Sequence, residues 1–314
     1  MKLATYKDGS RDGQLVVVSR DLARAHFATG IATRLQQVLD DWNFLAPQLQ
    51  QLYEALNRGQ VRHAFDFDPR LCAAPLPRAF QVAWATAARH EAGDAADDPD
   101  APLPLRLEVA AGDALLGSRD VAEFASDGWD IDAEPGLAVI SGDIAAGTPA
   151  PQALEGVRLL TLMCRWRLRA LDGADAGFSP APAFGPVAVT PDELNLAWEG
   201  GRVRAELQWT WNQRRLARCD AAAALPWHFG QPLARLAHTR MLQAGSVVGC
   251  AAQSALPEVA FSLQALRAHE ASEGVQALRE GFLRHGDQLR LELLDERGLL
   301  PLGAIEQSVA IGRG

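Results

Sequence analysis

The sequence predicts a mainly β chain of the α+β class, with helices on the flanks of its sheets. Three observations carry that expectation. In residues 162–169, Leu162, Cys164, Trp166 and Leu168 alternate with Met163, Arg165, Arg167 and Arg169, the period of a half-buried strand. Val203, Ala205, Leu207, Trp209 and Trp211 alternate in the same way. Near the C-terminus Leu289, Leu291 and Leu293 alternate with Arg290 and Glu292, the tetrad DERG turns the chain, and LLPLGAIEQSV returns as the partner strand.

A chain of 314 residues with 48% hydrophobic content can bury a sizeable core in a main domain and carry a small appendage. Its net charge of −9 leaves no excess of cation to neutralise phosphates, which argues against nucleic acid and anionic membrane as partners. No apolar run approaches the roughly 20 residues of a membrane helix, and MKLATYKDGSRDG meets charges before any signal-like core, so a cytoplasmic location is expected. Cys72, Cys164, Cys219 and Cys250 are widely spaced without a CxxC pair, the pattern of reduced, buried thiols.

Taken in order, residues 2–6 and 14–19 read as a hairpin around the turn KDGSRDG. Helical spacing runs from Ile31 to Leu45 and resumes from Leu49 to Leu56, with Pro47 expected to separate two helices. The proline-rich segment FDFDPRLCAAPLPR reads as a linker, which divides the chain into a small domain at 1–75 and a main domain at 76–314. Residues 91–104, EAGDAADDPDAPLP, are too acidic and proline-broken to bury apolar surface and are expected to form a mobile loop. Thr148 is expected to cap a helix through LEGVRLL, and a helix from about Pro232 to Gln243 to stop at Gly245 before the strand SVVGC.

The stretch from Trp129 to Asp143, WDIDAEPGLAVISGD, holds the chemistry. Asp130, Asp132 and Glu134 recur at every second residue, so an extended chain projects all three carboxylates from one face, as a strand presents oxygens to a hard cation. Pro135 and Gly136 are expected to interrupt that strand before Leu137 resumes it. No HExxH, GxSxG or glycine-rich phosphate loop occurs elsewhere.

Four segments in this order, KLATYKDGSRDGQLVVVSRD, WDIDAE with LAVISGD, FGPVAVTPDEL and HGDQLRLELLDERGLLPLGAIEQ, resemble the fumarylacetoacetate hydrolase family along nearly the whole chain. The resemblance implies a mixed β-roll with a small N-terminal domain, a homodimer, and a magnesium- or calcium-dependent activity on 2,4-diketo acids and related keto acids. By the same resemblance, the family's acidic metal ligands fall on Trp84, Glu134, Gly136 and Arg165, so that Glu134 alone keeps a carboxylate. The general-base histidine falls on Glu91, with His90 beside it. A lysine position falls on Ser179, an arginine position is kept as Arg169, and Asp132 matches a residue that supports the fold.

The expectation drawn from this pattern is a family member that binds no metal. Indole, hydrogen and guanidinium at three of four positions leave one carboxylate for an ion that wants six oxygens. Arg165 is expected to replace the cation's charge through a hydrogen-bonded ion pair with Glu134 or, failing that, Asp132, while Trp84 fills the emptied cavity. Arg165 and Arg169 would then hold a small carboxylate-bearing molecule, with Trp84, Ser179 and Glu134 around it and Glu91 or His90 moving a proton. The alternatives are a catalytically silent subunit paired with an intact homologue, and a conventional hydrolase, decarboxylase or isomerase that uses magnesium or calcium.

Overall fold

The alternating segments pair into two sheets in the computed structural model, which describes residues 1–87, 105–171, 180–253, 260–272 and 281–312. The N-terminal hairpin forms as its turn requires. β1 (Lys2–Tyr6) pairs antiparallel with β2 (Gln14–Val18), and β3 (Arg24–Phe27) and β4 (Phe65–Asp66) extend it. The next strands are β5 (Gln81–Ala87), β6 (Leu105–Ala110), β7 (Ala122–Phe124), β8 (Ile131–Ser141), β9 (Val157–Leu168), β10 (Ala183–Phe184) and β11 (Ala188–Val189). A short ribbon of β12 (Trp198–Glu199) and β13 (Arg202–Val203) precedes β14 (Glu206–Trp211), β15 (Arg214–Asp220), β16 (Ser246–Ala251) and the terminal hairpin β17 (Gln288–Leu294) and β18 (Ala304–Ile311).

Among the described residues the larger sheet runs β4-β3-β2-β1-β11-β9-β8-β16-β5-β6, with β10 beside β9, and the smaller runs β15-β14-β17-β18-β7. The N-terminal strands therefore continue the same sheet as β5, β8 and β9. The segment read as a linker is packed: Cys72, Ala74 and Leu76 are buried, and the Thr5 hydroxyl donates to the Pro75 carbonyl at 2.7 Å. Apolar positions on one face of β8 and β9, including Leu137, Leu162 and Trp166, join Leu207, Trp209, Leu291 and Ile305 in a core shared with the smaller sheet. The opposite face, through Ala138, Leu159 and Met163, packs with Trp84, Leu49 and Tyr53. The result is the mainly β architecture expected, with few helices.

Helices depart from the sequence expectation in ways their contacts explain. α1 (Leu35–Asp40) and α2 (Trp42–Asn57) break at Asp41, and Pro47 lies inside α2. One missing donor is tolerated because Ala46, Leu49, Tyr53 and Leu56 keep a continuous buried face. α3 (Ala150–Leu154) is one short turn, and the Thr148 hydroxyl bonds back to the Ala145 carbonyl instead of capping it. VRLL belongs to β9, where alternate burial against both cores outweighs helical propensity. After α4 (Ala221–Ala224), α5 (Gly230–Leu236) also stops early, because Leu242 exchanges backbone hydrogen bonds with Ile144. α6 (Leu263–Ser272) completes the set.

The central stretch needs two corrections. Asp130 is the left-handed residue that closes the turn Asp127–Trp129, with φ of 53°, so it stands before the strand and not on the carboxylate face. β8 then runs without a break through Pro135 and Gly136. Proline fits because its carbonyl still accepts from the Ala252 amide, and glycine fits because a Cβ at 136 would collide with the Cys250 carbonyl of neighbouring β16.

Candidate functional site

Strand register brings Trp84, Glu134, Gly136 and Arg165, the positions to which the resemblance assigned metal ligands, onto one face of neighbouring strands. Glu134 lies directly opposite Arg165, Gly136 opposite Met163, and Trp84 beside Gly249, which is in turn opposite Ala138. Facing residues of paired strands share a side of the sheet. Two observations make this face a charged strip set into an apolar bed: Arg165 is 2% exposed, and its guanidinium carbon is 5.7 Å from the centroid of the buried Trp84 ring.

The expected hydrogen bond from Arg165 to Glu134 is not what the side chains make. Arg165 Nη1 lies 3.7 Å from Glu134 Oε2, an ion pair without a hydrogen bond, and Arg165 Nη2 donates to Glu108 Oε2. Glu108 sits on β6 directly across from Trp84 and is also paired with Arg167 at 3.4 Å. Arg169, from the turn that follows β9, takes the partner assigned to Arg165. Its Nη2 reaches Glu134 Oε1 at 2.8 Å and its Nε reaches Asp132 Oδ2 at 3.0 Å. The strip therefore alternates cation and anion from Glu108 through Arg165 and Glu134 to Arg169 and Asp132.

Burial and pairing set the protonation of this strip. At Glu108 burial is the largest influence and pushes the carboxyl up, but Arg165, Arg167 and Arg106 together bring it below the usual range. At the fully buried Asp132, burial wins and raises the carboxyl, although Arg169 and the amides of Leu263 and Ala133 pull it back. Burial works against charge on Arg169, and Asp132 and Glu134 more than restore it. Asp132 also accepts from the backbone N–H of Leu263 at 2.8 Å and of Gln264 at 3.2 Å, so it holds the first turn of α6. That is a fold-supporting role.

Three buried donors in this place have no acceptor among the described residues: Arg165 Nε, Arg165 Nη1 and the indole N–H of Trp84. Among the described residues no group of three or more histidine, cysteine, aspartate or glutamate side chains is arranged to hold a metal ion. His90, Glu91 and Ser179 lie outside the described residues, as does the segment 91–104. Glu108 is the residue that sequence reasoning missed. Its signal was the alternation LRLEV in residues 105–109, hidden behind the acidic, proline-rich run that precedes it.

Comparison with known proteins places these features. The family model described as fumarylacetoacetase N-terminal domain 2 matches residues 1–78, and the one described as fumarylacetoacetate (FAA) hydrolase C-terminal matches residues 80–310. Among solved structures, the chain is similar to maleylpyruvate hydrolase from Sphingobium sp. SYK-6 in complex with manganese(II) ion and pyruvate, at 16% identity and a TM-score of 0.69, with 100% of each chain covered. It is similar to fumarylacetoacetate hydrolase from psychrophilic Exiguobacterium antarcticum at 16% identity and a TM-score of 0.67, covering 99% of this chain and 100% of that one. It is also similar to 5-carboxymethyl-2-hydroxymuconate delta-isomerase from Mycobacterium smegmatis at 15% identity and a TM-score of 0.63, with 100% of each covered. At these identities the likeness establishes a common fold. No curated protein matches in sequence.

Proposed function

Since the chain belongs to the fumarylacetoacetate hydrolase family, we propose that it uses the family's pocket without the family's cation, as a metal-independent enzyme or binding protein for a small carboxylate-bearing molecule. The observation that carries this reading is the place of Arg165: a buried guanidinium stands between Glu108 and Glu134, over Trp84, on the face where the family positions converge. Magnesium or calcium does not fit those positions. An indole offers no lone pair to a cation, Gly136 has no room for a side chain, and the one remaining carboxylate is already held by Arg169.

Arg165 Nε and Nη1 and the Trp84 indole N–H, which have no hydrogen-bond acceptor among the described residues, favour a ligand over an empty, silent site. They call for an acceptor-rich group, and a carboxylate meets that need better than a neutral ligand does. Arg169 already answers Asp132 and Glu134, so its part is to hold Glu134 in place and not to bind the ligand directly. A homodimer is proposed with it; closed two-fold pairing is the commonest arrangement of soluble oligomers.

The test combines an assay with a binding measurement. Acylpyruvates and oxaloacetate are supplied with magnesium or manganese, and turnover of about 1 per second or more would overturn the reading. Pyruvate and oxalate are then screened by thermal shift. Stabilisation of the native protein that is lost in Arg165→Lys supports a repurposed pocket, because lysine keeps the charge and loses the planar donor set. Equal shifts in both proteins count against it.

A further inference from the structure

β6 ends the larger sheet among the described residues, and none of their strands lies beside its outer edge. Exposed strand edges of this kind are templates for pairing. Its alternate positions are apolar. Val109 is 66% exposed, Leu105 and Leu107 are half-buried, and all three point to one face, beside a shallow groove of about 520 Å³ completed by Leu236, Thr239 and Arg240. On the other face, Arg106 and Glu108 stand two residues apart on either side of Leu107.

That pattern is self-complementary. If a second β6 runs antiparallel with Leu107 opposite its own copy, Leu105 faces Val109 and Arg106 faces Glu108, each twice by symmetry. A one-residue slip would place apolar side chains against the charged face. We propose that the chain forms a two-fold dimer by pairing β6 with β6 of a second copy in this register, joining the two larger sheets into one. The occupant is a second copy because charge and apolarity match in the same register, and Arg106 makes no ion pair among the described residues of its own chain.

The pairing reaches the candidate site. Glu108 Oε2 is engaged by Arg165 and Arg167, whereas among the described residues Oε1 meets only the Thr86 hydroxyl at 3.5 Å. Arg106 of the partner subunit would meet that second oxygen, so each protomer completes the charge network around the other's Arg165. The proposal rests on the homodimer reading above and specifies its surface.

The experiment uses the full-length protein. Light scattering at micromolar concentration is expected to show a dimer, and Arg106→Glu to raise its dissociation constant at least tenfold, since two opposed-charge pairs become two like-charge pairs. Leu107→Cys is expected to form a covalent dimer under mild oxidation, because facing residues of antiparallel strands bring their Cα atoms to about 4.5–5.5 Å, within disulfide reach. Val109→Cys is expected not to, since its partner in this register is residue 105. A monomeric native protein overturns both the dimer and the edge, and a monomer that captures an extended peptide of alternating leucine and glutamate assigns the edge to a foreign strand. A dimer that ignores Arg106→Glu, or that cross-links no better through Leu107→Cys than through Val109→Cys, leaves the dimer standing and overturns the β6 pairing.

Discussion

The Trp84 ring occupies the space that a side chain at Gly249 would need: a Cβ there would come within 2.5 Å of Trp84 Cζ3 and of Met163 Sδ. The two residues are neighbours in the parallel pairing of β5 and β16. The large side chain of Trp84 is therefore accommodated by the smallest residue on the adjoining strand, and Trp84 is packed into the sheet face as a structural member.

That relationship predicts the cost of filling the gap. Gly249→Ala should destabilise the protein by about 1–3 kcal/mol, the usual range for overpacking a core. Combining it with Trp84→Leu should cost less than the two separate changes added together. Urea denaturation midpoints of the three variants give the coupling directly.

Arg165→Met should cost about 3 kcal/mol, the lower end of the range for breaking a buried ion pair. The lower end applies because the Glu108 side chain is 38% exposed and keeps Arg167, so the stranded charge is partly solvated. Chemical denaturation at neutral pH measures it; a loss below about 1 kcal/mol would place Arg165 among ordinary surface pairs.

Glu108 also predicts the acid limb of stability. Its folded carboxyl lies below the usual value of 4.5, so the unfolded chain binds the proton first; the stabilisation is complete above that value and is lost as pH falls through the folded one. Glu108→Gln should therefore flatten the fall in stability below pH 4.5. Melting temperatures across a pH series, compared with the native protein, check the slope.

Alkaline conditions should act through the thiols. Burial pushes the Cys250 thiol up from 9 to about 12, and Cys72 and Cys164 are raised likewise. The fold keeps a proton that the unfolded chain releases above pH 9, so stability falls as pH rises, by about 1.4 kcal/mol per pH unit for each such group. Cys250→Ala should remove one group's share of that slope between pH 9 and 12.

Asp132→Asn should loosen α6 as well as the charged strip, because the same carboxylate accepts from Leu263, Gln264 and Arg169. Hydrogen exchange at the amides of residues 263–266 should quicken by more than that of β17. Unchanged protection there would show that Asp132 is not what holds the helix end.

What the sequence determined by itself was the period of its strands and the chemistry of its substitutions. Alternation fixed β9, β14 and the terminal hairpin, because a side chain's face follows from residue parity alone. Motif order indicated the family, which the family models bear out. Helix lengths were not legible, since Leu242 pairing with Ile144 and Val157–Leu160 joining β9 are contacts made between distant segments.

Only the tertiary structure decided who pairs with whom. Sequence placed Arg165 opposite Glu134, and register agrees, yet a guanidinium spans several ångströms and bonds the carboxylate that its rotamer meets. Glu108 arrives from β6, four strands from β9 across β8, β16 and β5, and Arg169 arrives from a turn past the end of β9. Ion pairing depends on distances of 3–4 Å between chain segments far apart in sequence, and those distances exist only once the sheet has set its strand order.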